Sequence, residues 1–338
     1  MPRMRMNQAI SAAIADEMRA DPDVIVLGED VAVAEGPFKT SAGLLEEFGP
    51  LRVRDTPISE MGFLGAAVGA AATGLRPVVE IMFVEFLGVA LDQLSTEGAK
   101  FHYLSGGQVT VPLTVRASVG AGLGFGTQHS QTLESWVVGT PGLKLAVASG
   151  PATAYGLMRA AIRDDNPVVV LEPRRLYAQR EEVAVGEAGI IALGQARQAA
   201  SGDDATVVAL GSTVGTATEA AADASWSADV IDLQSLQPWD RDLVYASVAR
   251  TGRLITVEEN PLFGGWGADV VAAVATDLFG ELKAPPLRIT APDVPVPFGK
   301  ELEERYMPSP AYVGEQITEL LDTGRVPPPW WQSEENTP

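Results

Sequence analysis

The sequence predicts an α/β protein with two doubly wound domains, each built on a mostly parallel sheet. Short apolar runs rich in β-branched residues alternate with helical stretches, and continuous runs of this kind are typical of strands buried on both faces. The alternation stops at YAQREEVAVGEAG (177–189) and then resumes. We therefore expect a first domain over 1–185, a second over 186–325, and a flexible proline-rich tail over 326–338.

The first domain contains five predicted strands and four predicted helices. The strands are VIVL (24–27), RPVVEIMF (76–83), VPLTVRA (111–117), LKLAVA (143–148) and PVVVLEP (167–173). The helical stretches are 7–18, 62–74, 88–104 and 151–165. In the second domain, strands are predicted at 206–210, 229–233 and 253–259, with helices at 213–224 and 265–279.

Composition excludes several classes of protein. The formal net charge of −20 opposes binding to nucleic acid or to an anionic membrane surface. The chain has no cysteine and two histidines, which excludes disulfides, thiolate catalysis and an imidazole-rich zinc site. No apolar stretch is long enough to span a bilayer, and the N-terminus reads as the first helix of a mature protein. We expect a cytoplasmic location.

Glu60 is the first candidate functional residue. It stands at a predicted strand-to-helix turn, within RDTPISEMGFLGAAVGAAATGLRPVVEIMF (54–83). A glutamate before a helix is often only a favourable charge at the helix N-terminus. Beside apolar Met61, Phe63 and Leu64, however, the neutral form of the carboxyl is favoured, so it could share a proton with a ligand nitrogen.

His129 is the second candidate, and it follows four alternating glycines in GAGLGFGTQHSQTLESW (120–136). The glycines resemble a dinucleotide-binding loop, but the spacing is incomplete and no helix opens directly after them. A flexible surface loop is a second interpretation. A third is a backbone free to approach a ligand that presents His129 as an acid/base group.

Several long blocks together resemble the β-subunit of the thiamine-diphosphate-dependent first component of 2-oxoacid dehydrogenase complexes, in the pyruvate and acetoin dehydrogenase branches. The resemblance covers about residues 7 to 322. It implies a transketolase-like fold, with a pyrimidine-binding N-terminal domain and a transketolase C-terminal domain that assists assembly. The blocks are TPISEMGFLGAAVGAAATGLRPVVEIMF, AKFHYLSGGQVTVPL, GTQHSQTLESW, PGLKLAV, AAIRDDNPVVVLEP and IDLQSLQPWD.

The resemblance assigns roles to single residues. Glu60 corresponds to the glutamate that hydrogen-bonds the cofactor pyrimidine and promotes its activation, and Phe86 to the aromatic ring that stacks on the pyrimidine. Glu29 and Ile58 are assigned to cofactor binding. His129 corresponds to the histidine that stabilises intermediates and assists transfer to lipoamide.

The resemblance also implies metal ions and partner proteins. A structural potassium ion is expected at mostly backbone oxygens of Leu113, Ala161, Ile162, Asp164 and Asn166. The chain lacks the GDG motif that holds magnesium and the diphosphate in this family, and its nearest approach is SGDDAT (201–206). Magnesium ligands are therefore expected from an α-subunit, in an α2β2 heterotetramer.

The expected function follows from these assignments. The chain would decarboxylate a 2-oxoacid such as pyruvate, or cleave acetoin, together with its α-subunit. The acyl group would pass to lipoamide on a lipoyl acyltransferase or another acyl carrier protein. Two alternatives remain open: transfer of a two-carbon ketol unit to a carrier protein, and a non-catalytic assembly subunit.

Overall fold

A computed structural model describes residues 1–332 of the chain. Its first part contains β1 (Arg3–Arg5), α1 (Met6–Ala20), β2 (Val24–Gly28), α2 (Leu44–Phe48), β3 (Val53–Asp55), α3 (Glu60–Ala72), β4 (Arg76–Ile81), α4 (Leu87–Asp92), α5 (Phe101–Leu104), β5 (Thr114–Val119), α6 (Glu134–Val138), β6 (Lys144–Val147), α7 (Pro151–Arg163), β7 (Val168–Pro173) and β8 (Arg180–Glu182).

The remaining elements begin after Gly194. They are β9 (Arg197–Ala200), β10 (Ala205–Ala209), α8 (Thr213–Asp223), β11 (Ala228–Asp232), β12 (Ser235–Gln237), α9 (Arg241–Thr251), β13 (Leu254–Pro261), α10 (Gly267–Asp277), β14 (Leu287–Ala291), α11 (Lys300–Tyr306) and α12 (Pro310–Thr323). None of the helices in residues 1–332 has both the length and the apolar character that crossing a membrane requires.

Contacts divide the chain into two units that interleave in sequence. The first unit is 1–120, 136–194 and 234–238, and the second unit is 121–135, 195–233 and 239–338. The glycine-rich loop with His129 therefore belongs to the second unit, although it lies between strands of the first. The domain limits predicted from the sequence, at 185 and 325, stay predictions.

The first unit is built on a seven-stranded sheet in the order β12-β6-β7-β5-β4-β2-β3. All neighbours pair in parallel except β12, which runs antiparallel to β6. The chain order reverses at β2, which has β3 on one side and β4 on the other. In such a sheet, ligands bind outside the carboxyl ends of the strands near this reversal.

Helix α1 shows why these residues form a core. Met6, Ile10, Ile14 and Met18 repeat every four residues, and none is more than 1% exposed. This stripe packs in one cluster with residues of α7 and the sheet. Full burial of each such side chain contributes about 1.5–3 kcal/mol, so the stripe fixes the helix against its neighbours.

The second unit is built on a five-stranded sheet in the order β14-β13-β10-β11-β9. Only β9 is antiparallel to its neighbour. Its core joins the sheet to α8 and α12 through Val214, Ala217, Val313, Ile317 and Leu320. Two α/β units with mostly parallel sheets confirm the predicted fold class.

The structure differs from two local predictions, the helix over 88–104 and the flexible tail. The helix predicted over 88–104 is interrupted, because a π-helical segment, Gln93–Gly98, separates α4 from α5. In the predicted flexible tail, Trp330 N–H donates to Tyr312 Oη at 3.3 Å, and the Arg305 guanidinium lies 4.9 Å from the Trp330 ring centre. Trp330 in the tail therefore packs against α11 and α12, and residues 333–338 lie outside the described residues.

Candidate functional site

Three of the predicted cofactor residues follow three adjacent strands of the seven-stranded sheet. Glu29 comes directly after β2, Glu60 begins α3 after β3, and Phe86 lies in the turn after β4. Because β3, β2 and β4 are parallel neighbours, their carboxyl ends share one edge of the sheet. The structure thus brings these residues to the sheet edge next to the reversal of strand order, where open sheets of this kind bind ligands.

Glu29 carries a buried oxygen without a protein partner. Of the residues described, none hydrogen-bonds to Glu29 Oε1, which is out of contact with solvent. Burial raises the pKa of the Glu29 carboxyl, and the nearby charge of Glu60 raises it further, whereas a hydrogen bond from the backbone of Ser59 lowers it. An unpaired buried oxygen is costly, so this atom is suited to a ligand donor.

Glu60 is buried, with 8% of its surface exposed, at the first position of α3. Within residues 1–332, no donor forms a hydrogen bond with its carboxylate. The free N–H groups of the first helical turn favour a negative charge here. Two carboxylates, one with a raised pKa, therefore meet at this edge and can hold or share a proton.

The other assigned residues of the first unit differ in exposure. Phe86 is half-buried and packs edge-to-face on Phe83, with ring centres 5.7 Å apart. Ile58 is 85% exposed and Met61 is 53% exposed. A half-buried ring can offer a face to a planar ligand, and the exposed apolar side chains leave surface for further contacts.

The loop after β2 is fixed by contacts to the end of β3. Asp55 Oδ1 accepts from Ala32 N–H at 2.7 Å, and Oδ2 accepts from Val33 N–H at 3.2 Å. Ser41 Oγ donates to Val31 O at 2.7 Å. These bonds hold the segment that begins with Glu29 against the strand that leads to Glu60.

A buried ion cluster lies within the same sheet. Arg116 on β5 pairs with Glu80 on β4 and donates to Glu172 Oε2 on β7 at 2.6 Å. Tyr177 Oη also donates to Glu172, at 2.7 Å. With all three charged side chains at most 5% exposed, the pairing supplies the partners that buried charges require.

In the second unit, the alternating glycines adopt backbone angles that other residues avoid. Gly122, Gly124 and Gly126 have φ values of +97°, +70° and +77°. An added Cβ would lie 2.9 Å from Met307 Cε at Gly122, and 2.8 Å from Phe298 Cδ2 at Gly126. The glycines are therefore required by conformation and by close packing on the second unit.

His129 follows this stretch, and its two neighbours, Gln128 and Ser130, line a cavity of about 570 Å³ that His129 itself does not line. One wall is the loop itself, and the other combines apolar and acidic side chains of the second unit. The neighbouring Ser130 is 2% exposed, and its Oγ has no hydrogen bond to any residue that the structure describes. The cavity is lined by Thr127, Gln128, Ser130, Gln131, Thr132, Leu133, Glu259, Pro261, Phe263, Asp293, Val294, Pro295, Val296 and Tyr306.

Glu134, near the end of the loop, has a buried carboxyl with a raised pKa. Burial raises the pKa of Glu134 to about 7, the charges of Glu259 and Glu258 add to the rise, and a hydrogen bond from Asn260 opposes it. Asn260 Nδ2 donates to Glu134 Oε2 at 2.6 Å. Asn260 and Glu134 were not candidates in the sequence, because 126 positions separate them.

The expected potassium ligands come from Leu113, directly before β5, and from the end of α7 with the segment after it. Four of their carbonyls already accept hydrogen bonds. Arg76 Nη1 donates to Ile162 O at 3.1 Å and Asp164 O at 3.2 Å. Leu113 O accepts from Val168 N–H at 2.9 Å, and Ala161 O from Asp164 N–H at 3.2 Å. In the described part of the chain, no group of three or more acidic or histidine side chains could hold a metal ion.

Comparison with known proteins identifies the family of both domains. Residues 3–180 match the transketolase pyrimidine-binding domain, and residues 194–313 match the transketolase C-terminal domain. The chain is 43% identical over 331 residues to the β-subunit of the acetoin:2,6-dichlorophenolindophenol oxidoreductase of Bacillus subtilis (strain 168), covering 94% of this chain and 96% of that one.

A second relative and a solved structure extend the comparison. The pyruvate dehydrogenase E1 component subunit beta of Rhizobium meliloti (strain 1021) is 42% identical over 320 residues, covering 94% of this chain and 70% of that protein. An inactive β4 tetramer of split-gene transketolase superposes with a TM-score of 0.75 at 24% identity, covering 95% and 99% of the two chains. This last likeness shows the fold alone.

Fold and site together define a transketolase-like protein with a pyrimidine-binding domain. The chain belongs to the family that contains the β-subunits of the pyruvate dehydrogenase E1 component and of the acetoin oxidoreductases. The named relatives are subunits of oxidoreductases. The family expected from the sequence is therefore confirmed.

Proposed function

We propose that this chain is the β-subunit of a thiamine-diphosphate-dependent dehydrogenase for a 2-oxoacid such as pyruvate, or for acetoin. The observation that carries the proposal is the pair Glu29 and Glu60 at the carboxyl edge of β2 and β3, with Glu29 Oε1 buried and without a hydrogen-bond donor among residues 1–332. Relatives with 42–43% identity, named for pyruvate and acetoin oxidation, support it.

The residues of the first unit fit the pyrimidine half of thiamine diphosphate. Two carboxylates repel a diphosphate but attract a ring that donates hydrogen bonds from its nitrogens. Glu60 would bond the ring nitrogen, Glu29 would stabilise the same ring, Phe86 would stack on it, and Ile58 would add apolar contact. The bound cofactor would supply the nucleophilic carbon that cleaves the bond next to the substrate carbonyl.

Each protein group has a defined task in this proposal. Glu60 holds or exchanges a proton at the ring nitrogen, a step for which a buried carboxyl beside a second carboxyl is suited. His129 acts as an acid/base group toward substrate intermediates and assists acyl transfer to lipoamide. The glycines before it allow close approach of the backbone.

The diphosphate and magnesium require groups from another chain. The acidic edge at Glu29 and Glu60 opposes a diphosphate, and the sequence lacks GDG. Magnesium prefers oxygen ligands, which an α-subunit would supply in an α2β2 heterotetramer. A lipoyl acyltransferase or another acyl carrier protein would receive the product in the cytoplasm.

The expected potassium site is less favourable for a cation, because an arginine already contacts two of its oxygens. The Arg76 guanidinium already places a positive charge at Ile162 O and Asp164 O. Each carbonyl oxygen has two lone pairs. Potassium would therefore bind the second lone pair of Ile162 O and of Asp164 O, together with an oxygen of Asn166. We propose a structural potassium ion only in that arrangement.

Reconstitution tests the proposed function. The chain alone should bind thiamine diphosphate weakly in calorimetry and show no turnover of pyruvate or acetoin. Addition of its α-subunit and magnesium should restore tight binding and reduction of a dye acceptor. Robust turnover by the isolated chain, or none by the reconstituted enzyme with either substrate, would contradict the proposal.

A further inference from the structure

The glycine-rich loop is attached to the second unit by its backbone N–H groups. Glu303 Oε1 accepts from Gly122 N–H at 2.8 Å, and Glu303 Oε2 accepts from Gly124 N–H at 2.9 Å. Glu303 is 3% exposed, on α11. Both oxygens of a buried carboxylate are thus used to hold alternate residues of one loop.

This arrangement accounts for the alternation of the glycines. Where a turn contains residues with left-handed angles, N–H groups from nearby residues can converge on one point, and such a concavity binds an anion. Gly122 and Gly124 have those angles, and the anion is the Glu303 carboxylate. A buried carboxylate is costly without hydrogen bonds, so the loop and Glu303 stabilise each other.

A second carboxylate holds the start of the loop. Glu259 Oε1 accepts from Ala121 N–H at 2.6 Å, and its Oε2 accepts from Ser212 Oγ at 2.5 Å. Further along, Thr127 Oγ1 donates to Val296 O at 2.7 Å. The segment before His129 is therefore fixed at three points.

His129 itself is joined to this fixed segment by a turn. Its N–H donates to Gly126 O at 3.2 Å. Glycine loses more conformational freedom on ordering than any other residue, so without these bonds the four glycines before His129 would have more backbone conformations open to them. The backbone that leads to His129 is thus held by groups far from it in sequence.

We propose that Glu303 is a positioning residue, which holds the Gly122–Gly124 backbone and thereby sets the place of His129 for acyl transfer. The role in acyl transfer rests on the proposed function, whereas attachment of the loop can be tested without it. A misplacement of about 1 Å can reduce a rate by about 10²-fold.

Glu303→Gln is the test variant, because it keeps the size of the side chain. The amide keeps one acceptor oxygen and turns its NH₂ group toward the other backbone N–H. Glu301→Gln is the matched control, since it removes the same charge from an exposed position of the same helix.

Hydrogen exchange in the full chain measures attachment of the loop. In Glu303→Gln, the amides of 122–124 should exchange at least about 10-fold faster, while those of β13 stay unchanged; Glu301→Gln should match wild type. Glu303→Asp keeps the carboxylate but places it one methylene further from the loop, so its amides 122–124 should exchange at an intermediate rate. This variant replaces Glu303→Gln in the test if Glu303→Gln does not fold. Unchanged exchange in both variants would overturn the proposal.

Activity of the reconstituted enzyme measures the consequence for His129. Transfer to lipoamide should fall about 10²-fold, while oxidation with a dye acceptor stays within about 2-fold of wild type. In a His129→Ala background, Glu303→Gln should cause little further loss. An equal loss in that background, or losses in the two assays in a different ratio from those of His129→Ala, would show that Glu303 does not act through His129. A wild-type enzyme without turnover would instead refute the proposed function, and the exchange data would still decide the attachment.

Discussion

Glu134 makes a quantitative prediction about pH and stability. The ordinary pKa of a glutamate carboxyl is 4.5, and burial raises the pKa of Glu134 in the fold to about 7. The folded state therefore binds a proton more tightly than the unfolded state. For a raised pKa, the favourable contribution is fully present below pH 4.5 and is lost as the pH rises through 7. The fold should thus lose stability between these values.

The magnitude follows from the size of the shift. A difference of about 2.5 pKa units, at about 1.36 kcal/mol for each unit, gives a loss of about 3 kcal/mol. Glu134→Gln removes the titrating group, and its amide oxygen can still accept from Asn260 Nδ2. The variant should be close to wild type near pH 4.5 and about 3 kcal/mol more stable at pH 8.

Equilibrium unfolding in urea across this pH range measures the difference. Glu301→Gln serves as the control, because its exposed carboxyl should change the pH profile little. A constant difference between Glu134→Gln and wild type at all pH values would refute the reasoning. So would a variant that is less stable at pH 8, since the ionised carboxylate would then be a favourable partner of Asn260.

Two other predictions concern the reaction. Glu60→Gln should keep the fold but slow hydrogen–deuterium exchange at the reactive carbon of bound thiamine diphosphate by about 10²–10⁴-fold, because an amide cannot exchange the proton; a near-normal exchange rate would exclude this role. His129→Ala should lose overall activity by about 10²–10⁴-fold with little change in cofactor affinity. His102→Ala is its control, because among the described residues the ring of exposed His102 hydrogen-bonds only locally, between Nδ1 and Val109 O at 3.0 Å. Normal rates in His129→Ala would make the histidine a plain loop residue.

Local sequence patterns determined the strands, most helices and the candidates of the first unit. Val24–Gly28 and Val168–Pro173 form buried strands because continuous β-branched runs can cover both faces of a sheet. Glu60 was identified at the start of a helix from the turn before it and the small residues after it. Periodicity and turn chemistry act over a few residues, so they can be read without the fold.

Tertiary structure decided what these residues meet. Glu29 and Glu60 influence each other because β2 and β3 are adjacent parallel strands, although 31 positions separate the residues. Gly124 and Glu303 are 179 positions apart, and no local pattern marks a buried carboxylate as the partner of a particular N–H group. Strand β12 likewise joins the first unit from between elements of the second. Such pairings depend on how distant elements pack, and the energy that selects them is absent from any short segment of the sequence.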